Sequence, residues 1–463
     1  MTFREKYVGD KAFYHRLLGV MLPVLVQNVI TNFVSLLDNI MVGQVGTEAM
    51  SGVAIVNQLL FVFNLCIFGG HSGAGIFTAQ FFGRGDRDGV RHTMRIKYYI
   101  GLAAVAVFGG VFLLGGAELI SLFLHEGEAG LDLAATLNHG RAYLSVMLWG
   151  LLPFTVMQVY GSTLRECGET MLPMKAGIAA IGVNLVLNYI LIFGKLGAPA
   201  LGVVGAAVAT VIARLVECGI VVLWAHRHTR QHPYITGLYR SWKVPGRLLG
   251  QVAVKGTPLL CNEVLWSMGM TTLNQTYSLR GLEVVSAMNI SSTVSNLFFC
   301  AFFATGTTIA ILIGQRLGAG ELQEAVEEDR KLLAFAVFLS ALAGGFMALF
   351  APLIPDLYNT EPAVRSLATS FLLVNAAFMP LNAFTNGSYF TLRSGGKTGI
   401  TFLFDSGFIW ALNVPLAMGL IRLTTLPVLT VFLLVNCLEM VKAVLGGILL
   451  RRRTWVNNLV DAI

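Results

Sequence analysis

Long apolar stretches separated by short polar connectors run the whole length of the chain. Twelve of them, at 17–43, 50–78, 95–122, 140–163, 173–194, 203–225, 247–279, 284–313, 331–354, 366–391, 398–420 and 427–450, are long enough to cross a bilayer as helices rising 1.5 Å per residue. The first stretch, Leu17 to Gly43, departs from a plain anchor in two ways. Pro23 removes a backbone donor, so the helix can bend there. Asp38 puts a carboxylate about one turn from the far end of an otherwise uncharged run. A carboxylate at membrane depth costs at least ~2.5–3.5 kcal/mol, so it either snorkels to the interface or faces an interior cavity and serves there. The first 16 residues are of mixed charge and the apolar run after them is too long for a signal-peptide core, so this helix is expected to stay in the mature protein.

The connectors alternate in charge. Arg4, Lys6, Lys11 and Arg16 share one side with Arg84, Arg87, Arg91, Arg95 and Lys97 in the second connector. Arg165, Lys175, Arg227, Arg230, Arg240, Lys243, Arg247, Arg316, Arg330, Lys331, Arg393, Lys397 and Arg451 to Arg453 complete that side, 24 in all. The other side has five: Arg141, Lys195, Arg280, Arg365 and Arg422. The asymmetry predicts an even number of spans with both termini cytoplasmic.

The chain also repeats itself. At an offset of 235, Pro23 falls on Pro258, Asn28 on Glu263, Gly46 on Gly281, Gln80 on Gln315, Gly83 on Gly318 and Gly85 on Gly320; LRECGET (164–170) matches LRSGGKT (392–398) at 228. Six segments per copy give two parallel copies related by an axis along the membrane normal, an architecture that places transport sites near the repeat interface. The expected fold is therefore an all-α polytopic membrane protein of twelve helices in two pseudo-symmetric lobes, 1–225 and 247–463, joined by a basic linker at 226–246.

Composition agrees: of 463 residues 55% are hydrophobic and 12% charged, with mean hydropathy +0.71, against about 25% charged in soluble domains. The net charge of +7 sits in the connectors of one side and is no nucleic-acid signature. Six scattered cysteines have no paired spacing and read as small hydrophobes. GRGDRDGVRH (83–92) lacks the full calcium-loop pattern and reads as a solvated turn. There is no nucleophile–base constellation, metal-ligand cluster or nucleotide loop, so the sequence gives no enzyme and no bound cofactor. Transport energy would come from an ion gradient or the substrate's own gradient.

The polar residues inside apolar segments carry the remaining information. Glu263 lies five residues after Pro258 with little room to snorkel, and Asp405 is the second carboxylate of that half. Together they read as a proton or cation site, as the counter-charge for a cationic substrate, or as a structural pair. Asn184 and Asn188 share one helix face at i, i+4. Arg214 with Glu217, and Glu439 with Lys442, are spaced to neutralise themselves on one face. A cavity for greasy cations wants aromatic faces and thioethers; Trp266, Met268, Met270, Tyr277, Met147, Met157, Tyr160 and Tyr389 are the candidates, each also a packing residue. His71 is expected as a hydrogen-bonded core histidine.

PVLVQNVITNFVSLLDNIMVGQVG, GQRLGAGELQEA (314–325), LRECGETMLPM, GVNLVLNYILIFGKLGAPALGVVGAAVATVIA (182–213) and GTPLLCNEVLWSMGMT (256–271) resemble the multidrug and toxic compound extrusion (MATE) transporters, bacterial type. The resemblance implies a two-lobe exporter working by alternating access in the inner membrane of a bacterium, driven by inward Na⁺ or H⁺. It implies a cation or proton site at Asp38, Asn184, Asn188 and Thr210, with Asp38 and Asn184 as possible Na⁺ ligands. Where some members carry a second Asp this chain has Asn188, and Asn382 falls near another acidic position of the family. The expected partners are an amphipathic small molecule and the bilayer, with the chain a monomer. The rival readings are a flippase for a lipid-linked oligosaccharide, disfavoured by the acidic charge at depth, and a receptor or scaffold, disfavoured by the lack of a soluble domain.

Overall fold

The computed structural model describes residues 6–124, 132–358, 360–461 and 463. Among these residues the chain is helical with no strand. Twelve long helices follow one another: α1 (Lys11–Gly43), α2 (Thr47–Arg84), α3 (Arg87–Ser121), α4 (Leu133–Glu166), α5 (Met171–Phe193), α6 (Val203–Arg227), α7 (Gly246–Ser278), α8 (Leu282–Gly318), α9 (Leu322–Phe350), α10 (Pro362–Ser394), α11 (Thr398–Leu423) and α12 (Val428–Arg451). Eleven are long and apolar enough to cross a membrane. The remaining one, α7, is as long as its neighbours at 33 residues, but Lys255, Asn262, Glu263, Asn274 and Gln275 interrupt its apolar run.

Helices overrun the apolar stretches that announce them. The segment 83–92, expected as a solvated turn, turns only at Gly85 and Asp86. Asp86 Oδ1 accepts the Gly89 amide at 2.9 Å and starts α3 at Arg87, an N-cap that satisfies one of the helix's orphan donors. Arg91, Arg95 and Lys97 are therefore helical residues, not loop charges. The duplication is visible in the backbone. Gly85 and Gly320, 235 apart, both turn at φ +80°, and Gly168 and Gly396, 228 apart, at +88° and +71°; only glycine adopts such angles without a Cβ penalty.

The chain packs as two compact units: Met1–Leu25, Ala79–Gly85 and Gln251–Ile463 form one, Val26–Thr78 and Asp86–Gly250 the other. In the first unit, Phe13, Leu17, Val20, Met21 and Val24 make an i, i+4, i+7 stripe along the start of α1. The stripe is buried with Ile309, Leu312 and Ile313 of α8, Leu332 and Leu333 of α9, and Trp455. The division of α1 falls two residues after Pro23, where the helix lacks a backbone hydrogen bond.

The end of α2 and the end of α8 cross reciprocally. A Cβ on Gly83 would stand 1.9 Å from the Gln315 carbonyl oxygen, and one on Gly318 would stand 1.9 Å from that of Gln80. Gln80 is buried; its amide donates to the carbonyls of Ser394 (2.9 Å) and Asn457 (3.2 Å) and accepts from the Leu459 amide (2.7 Å). Gly318→Val is therefore expected to destabilise the protein by about 1–3 kcal/mol through overpacking, seen as a lowered thermal midpoint in detergent. A wild-type midpoint would mean that the crossing yields to a side chain.

In the second unit the core joins Val56, Leu60, Phe63 and Ile67 of α2 to Leu144, Met147 and Leu151 of α4 and Ala206, Ala207 and Val211 of α6. The 226–246 segment is folded against α3. Tyr234, Ile235 and Leu238 are buried, and Arg95 donates to the carbonyls of Gly237, Leu238 and Lys243 at 3.0–3.1 Å. Burial lowers the His232 imidazole below the ordinary histidine range, so it meets the Tyr234 hydroxyl (3.1 Å) as a neutral ring.

Candidate functional site

Two polar clusters occupy helix interiors, one in each unit. In the second unit, Asp38 stands five residues before the end of α1, half-buried. Asn184 and Asn188, one turn apart on α5, are 6% and 1% exposed, and Thr210 of α6 closes the group. The structure thus brings together the four residues that the resemblance had named. Asn188 Nδ2 donates to Asp38 Oδ1 at 2.7 Å and to Asn184 Oδ1 at 3.1 Å. Asn188 Oδ1 is buried without a partner.

The Asn184 amide reaches Asp38 on one side and Thr210 on the other. One of its terminal atoms lies 3.0 and 3.2 Å from the two Asp38 carboxylate oxygens, and the other lies 3.3 Å from Thr210 Oγ1. The oxygens of Asp38, Asn184, Asn188 and Thr210 form a hard donor set of the kind that holds an alkali or alkaline-earth ion.

In the first unit, Asp405 lies in one of two π-helical turns of α11, Leu403–Gly407 and Ile409–Asn413. Such turns occur often at functional positions. Its carboxylate pairs with Lys442 Nζ of α12 at 2.9 Å and accepts from Asn262 Nδ2 of α7 at 3.1 Å. Asn262 also donates to the Tyr389 hydroxyl (3.3 Å), while its Oδ1 accepts from the backbone and side chain of Ser406 (3.2 and 2.7 Å). Trp410 Nε1 donates to the Leu265 carbonyl (2.9 Å), a second tie between α11 and α7. Glu263 is partly buried and has no cation within ion-pairing distance among the described residues; the groups facing it are Arg393, Asp405 and the Tyr389 hydroxyl. Arg393 is 9% exposed, stacks on Phe390 at 5.4 Å and leaves Nη1 without a hydrogen-bond partner.

Several expectations are corrected by these contacts. Glu439 and Lys442 lie close enough to feel each other's charge but form no direct ion pair: Lys442 takes Asp405, and Glu439 accepts from Thr385 Oγ1 at 3.1 Å. Arg214 and Glu217 likewise interact by charge without an ion pair, and Arg214 stacks on Phe154 (4.9 Å) and donates to the Gly150 carbonyl (3.4 Å). Arg393 and Lys97, counted as connector charges, are buried. Lys97 Nζ meets Glu166 Oε2 at 2.5 Å, and the Lys97 carbonyl holds His71 Nε2 at 3.1 Å, as a core histidine should be held. Tyr160 is a core residue in this structure, fully buried with its hydroxyl bonded to Tyr239 (2.7 Å) and His226 (2.9 Å), and Met157 is buried on the same helix. Tyr277 is likewise a core residue, 3% exposed and edge-on to Phe432. Trp266 packs at the edge of that core, Met270 is 38% exposed, and Asn382 is half-buried on the α10 face that also carries Thr385 and Tyr389. Asn262 and Ser406 were missed, as uncharged residues beside the carboxylates.

A duplicated bundle of spanning helices, with a buried carboxylate cluster in each unit, defines a polytopic membrane carrier. The MatE family model matches residues 23–190 and 258–418, once per copy, and the chain belongs to that family of transporters. Among curated proteins it is similar to the probable multidrug resistance protein NorM of Thermotoga maritima, 25% identical over 88% of this chain and 85% of that one. It is equally similar to the multidrug resistance protein MdtK of Yersinia pseudotuberculosis, 25% identical over 89% and 88%. Among solved structures, a MATE protein in complex with MaD3S superposes with a TM-score of 0.85 at 20% identity, over 97% of each chain. An outward-facing multidrug resistance MATE transporter gives 0.83 at 18%, over 95% of this chain and 96% of that one.

Proposed function

We propose that the chain exports amphipathic, mostly cationic small molecules by alternating access, in antiport with inward H⁺ or Na⁺. The observation that carries this reading is the Asp38 cluster, an acidic group on a membrane-spanning helix held by Asn188 Nδ2 at 2.7 Å and ringed by the polar side chains of Asn184, Asn188 and Thr210. Asp38 is the coupling carboxylate; Asn184, Asn188 and Thr210 complete its oxygen shell. Glu263, free of an ion pair, is the carboxylate offered to a cationic substrate or a second proton, with Asn382, Trp266 and Met270 nearest in helix register. Asp405 serves this centre through Lys442 and Asn262 instead of meeting substrate alone. The charge asymmetry of the connectors supports the reading that both termini are cytoplasmic, and the bacterial relatives support a bacterial inner membrane as the setting.

The test is efflux of a fluorescent lipophilic cation from proteoliposomes holding the purified protein, with a Na⁺ gradient and a pH gradient imposed separately. Transport is expected under at least one of them. Na⁺ alone would make Asp38 part of a hard-cation cage, and pH alone would make it a proton carrier. No transport under either gradient overturns the reading.

A further inference from the structure

The first unit contains a cavity of about 1100 Å³ that no residue of the Glu263–Asp405 cluster lines. Its walls come from the amino-terminal segment, α9, α10, α12 and the carboxy-terminal tail, so both ends of the chain meet at its mouth. Lys6, Arg330, Arg451 and Arg453 supply four positive charges. None of the four has an ion-pair partner among the described residues. The single acidic lining residue, Asp329, is 3% exposed and turned onto Thr391 Oγ1 at 2.5 Å. Among the described residues Arg453 is one of two non-glycine residues held at positive φ, +53°, a conformation that costs of order 1–3 kcal/mol. Its amide donates to the Leu450 carbonyl at 3.1 Å and its carbonyl accepts from the Val456 amide at 3.1 Å, beside Trp455, which is 2% exposed and itself part of the wall.

Beyond the charges the walls are greasy. Tyr14, Phe335, Phe338, Phe384 and Leu450 line the interior. From Arg330 to Phe338 the α9 wall descends about 12 Å, at 1.5 Å per residue, into a membrane-spanning helix. Phe338 is 60% exposed on that span, so the slot opens sideways to the bilayer. A mouth of unpaired cations above an aromatic slot of that depth matches one ligand: a phosphate headgroup at the rim with an acyl chain laid along the aromatic wall. A soluble anion would leave the slot unfilled, and a zwitterionic lipid would bring a quaternary ammonium into a cationic rim.

We propose that this cavity binds one anionic phospholipid, of the phosphatidylglycerol type, in the leaflet on the side of the chain termini. The bound lipid ties the amino-terminal segment to α12 and the tail.

The experiment uses delipidated full-length protein in detergent, titrated with dioleoyl phosphatidylglycerol and read by native mass spectrometry. One lipid per chain is expected to be retained, about tenfold more tightly than dioleoyl phosphatidylcholine, and glycerol 3-phosphate should not displace it. The triple variant Arg330→Gln, Arg451→Gln, Arg453→Gln should lose retention by about tenfold or more. Gly447→Leu provides an arm that leaves every charge in place. Gly447 lines the slot, and a Cβ there meets no atom within 4 Å, so the added side chain fills the lipid's place without straining the helix, and retention should fall. Equal retention of the two lipids, wild-type retention in both variants, or full displacement by glycerol 3-phosphate would each overturn the proposal.

Discussion

Asp38→Asn is expected to lower gradient-driven export about 100-fold, equivalent to about 2.7 kcal/mol, with little change in the amount of folded protein. The substitution is isosteric, and the oxygen that accepts from Asn188 Nδ2 at 2.7 Å survives in the amide. What is lost is the only ionisable group of the cluster. An uncharged site takes up and releases neither a proton nor Na⁺, so substrate binding is no longer linked to the gradient. Equilibrium binding of substrate should persist, which separates loss of coupling from loss of fold. Export by Asp38→Asn at the wild-type rate, from a well-folded sample, would remove Asp38 from the mechanism. Asn184→Ala should act in the same direction but less strongly, because the carboxylate then keeps Asn188.

The charge argument made from the sequence against a lipid-linked-sugar flippase changes with the structure. Intramembrane charge was read as mainly acidic. In the first unit, however, Arg393 and Lys442 stand among Glu263, Asp405 and Glu439, so most of that cluster's charge is cancelled, and the excess of acid shrinks to one charge there and Asp38. The preference for cationic cargo accordingly depends on Glu263 being free of an ion pair and on Asp38 being the sole charge of its cluster. It no longer follows from a count of carboxylates.

Helices and duplication were legible because they are written in the longest patterns: twelve apolar runs, and glycines at a fixed offset that recur with the same left-handed turn. The Asp38 cluster was legible because Asn184 and Asn188 are one turn apart and the resemblance supplied Asp38 and Thr210. The Lys442–Asp405 pair was hidden by a closer suitor, since Glu439 lies three residues from Lys442 and helical spacing alone favours that pair. A signal was present: Asp405 has no cation within two turns on its own helix, and a carboxylate at that depth needs one. The π-helical turns that aim Asp405 leave no mark in the apolar periodicity. Tyr160 and Tyr277 show the converse error. Periodicity gives the face of a helix but not its neighbour, and an aromatic ring at depth packs as readily on Tyr239 or Phe432 as on a substrate.

Lys442→Met is expected to destabilise the protein by about 3–5 kcal/mol, the cost of leaving one partner of a buried ion pair without its counter-charge. The Lys442 and Asp405 side chains are 10% and 18% exposed, so water compensates little. Asn262 keeps one bond to Asp405 Oδ2 at 3.1 Å, while Oδ1, now facing a thioether, keeps none of its ionic partner. Lys442 Nζ also lies 5.4 and 5.9 Å from the Phe404 and Phe408 ring centroids; methionine offers the same rings a thioether of similar length, so the loss reports charge more than packing. The double variant Lys442→Met, Asp405→Asn should recover most of the stability, because no unpaired charge remains, yet it should not recover export if the pair holds α7 and α11 in register for Glu263. Thermal unfolding in detergent measures the first quantity and proteoliposome efflux the second. If the double variant is no more stable than the single, the pair is not a coupled unit, and Asp405 meets its partners independently of Lys442.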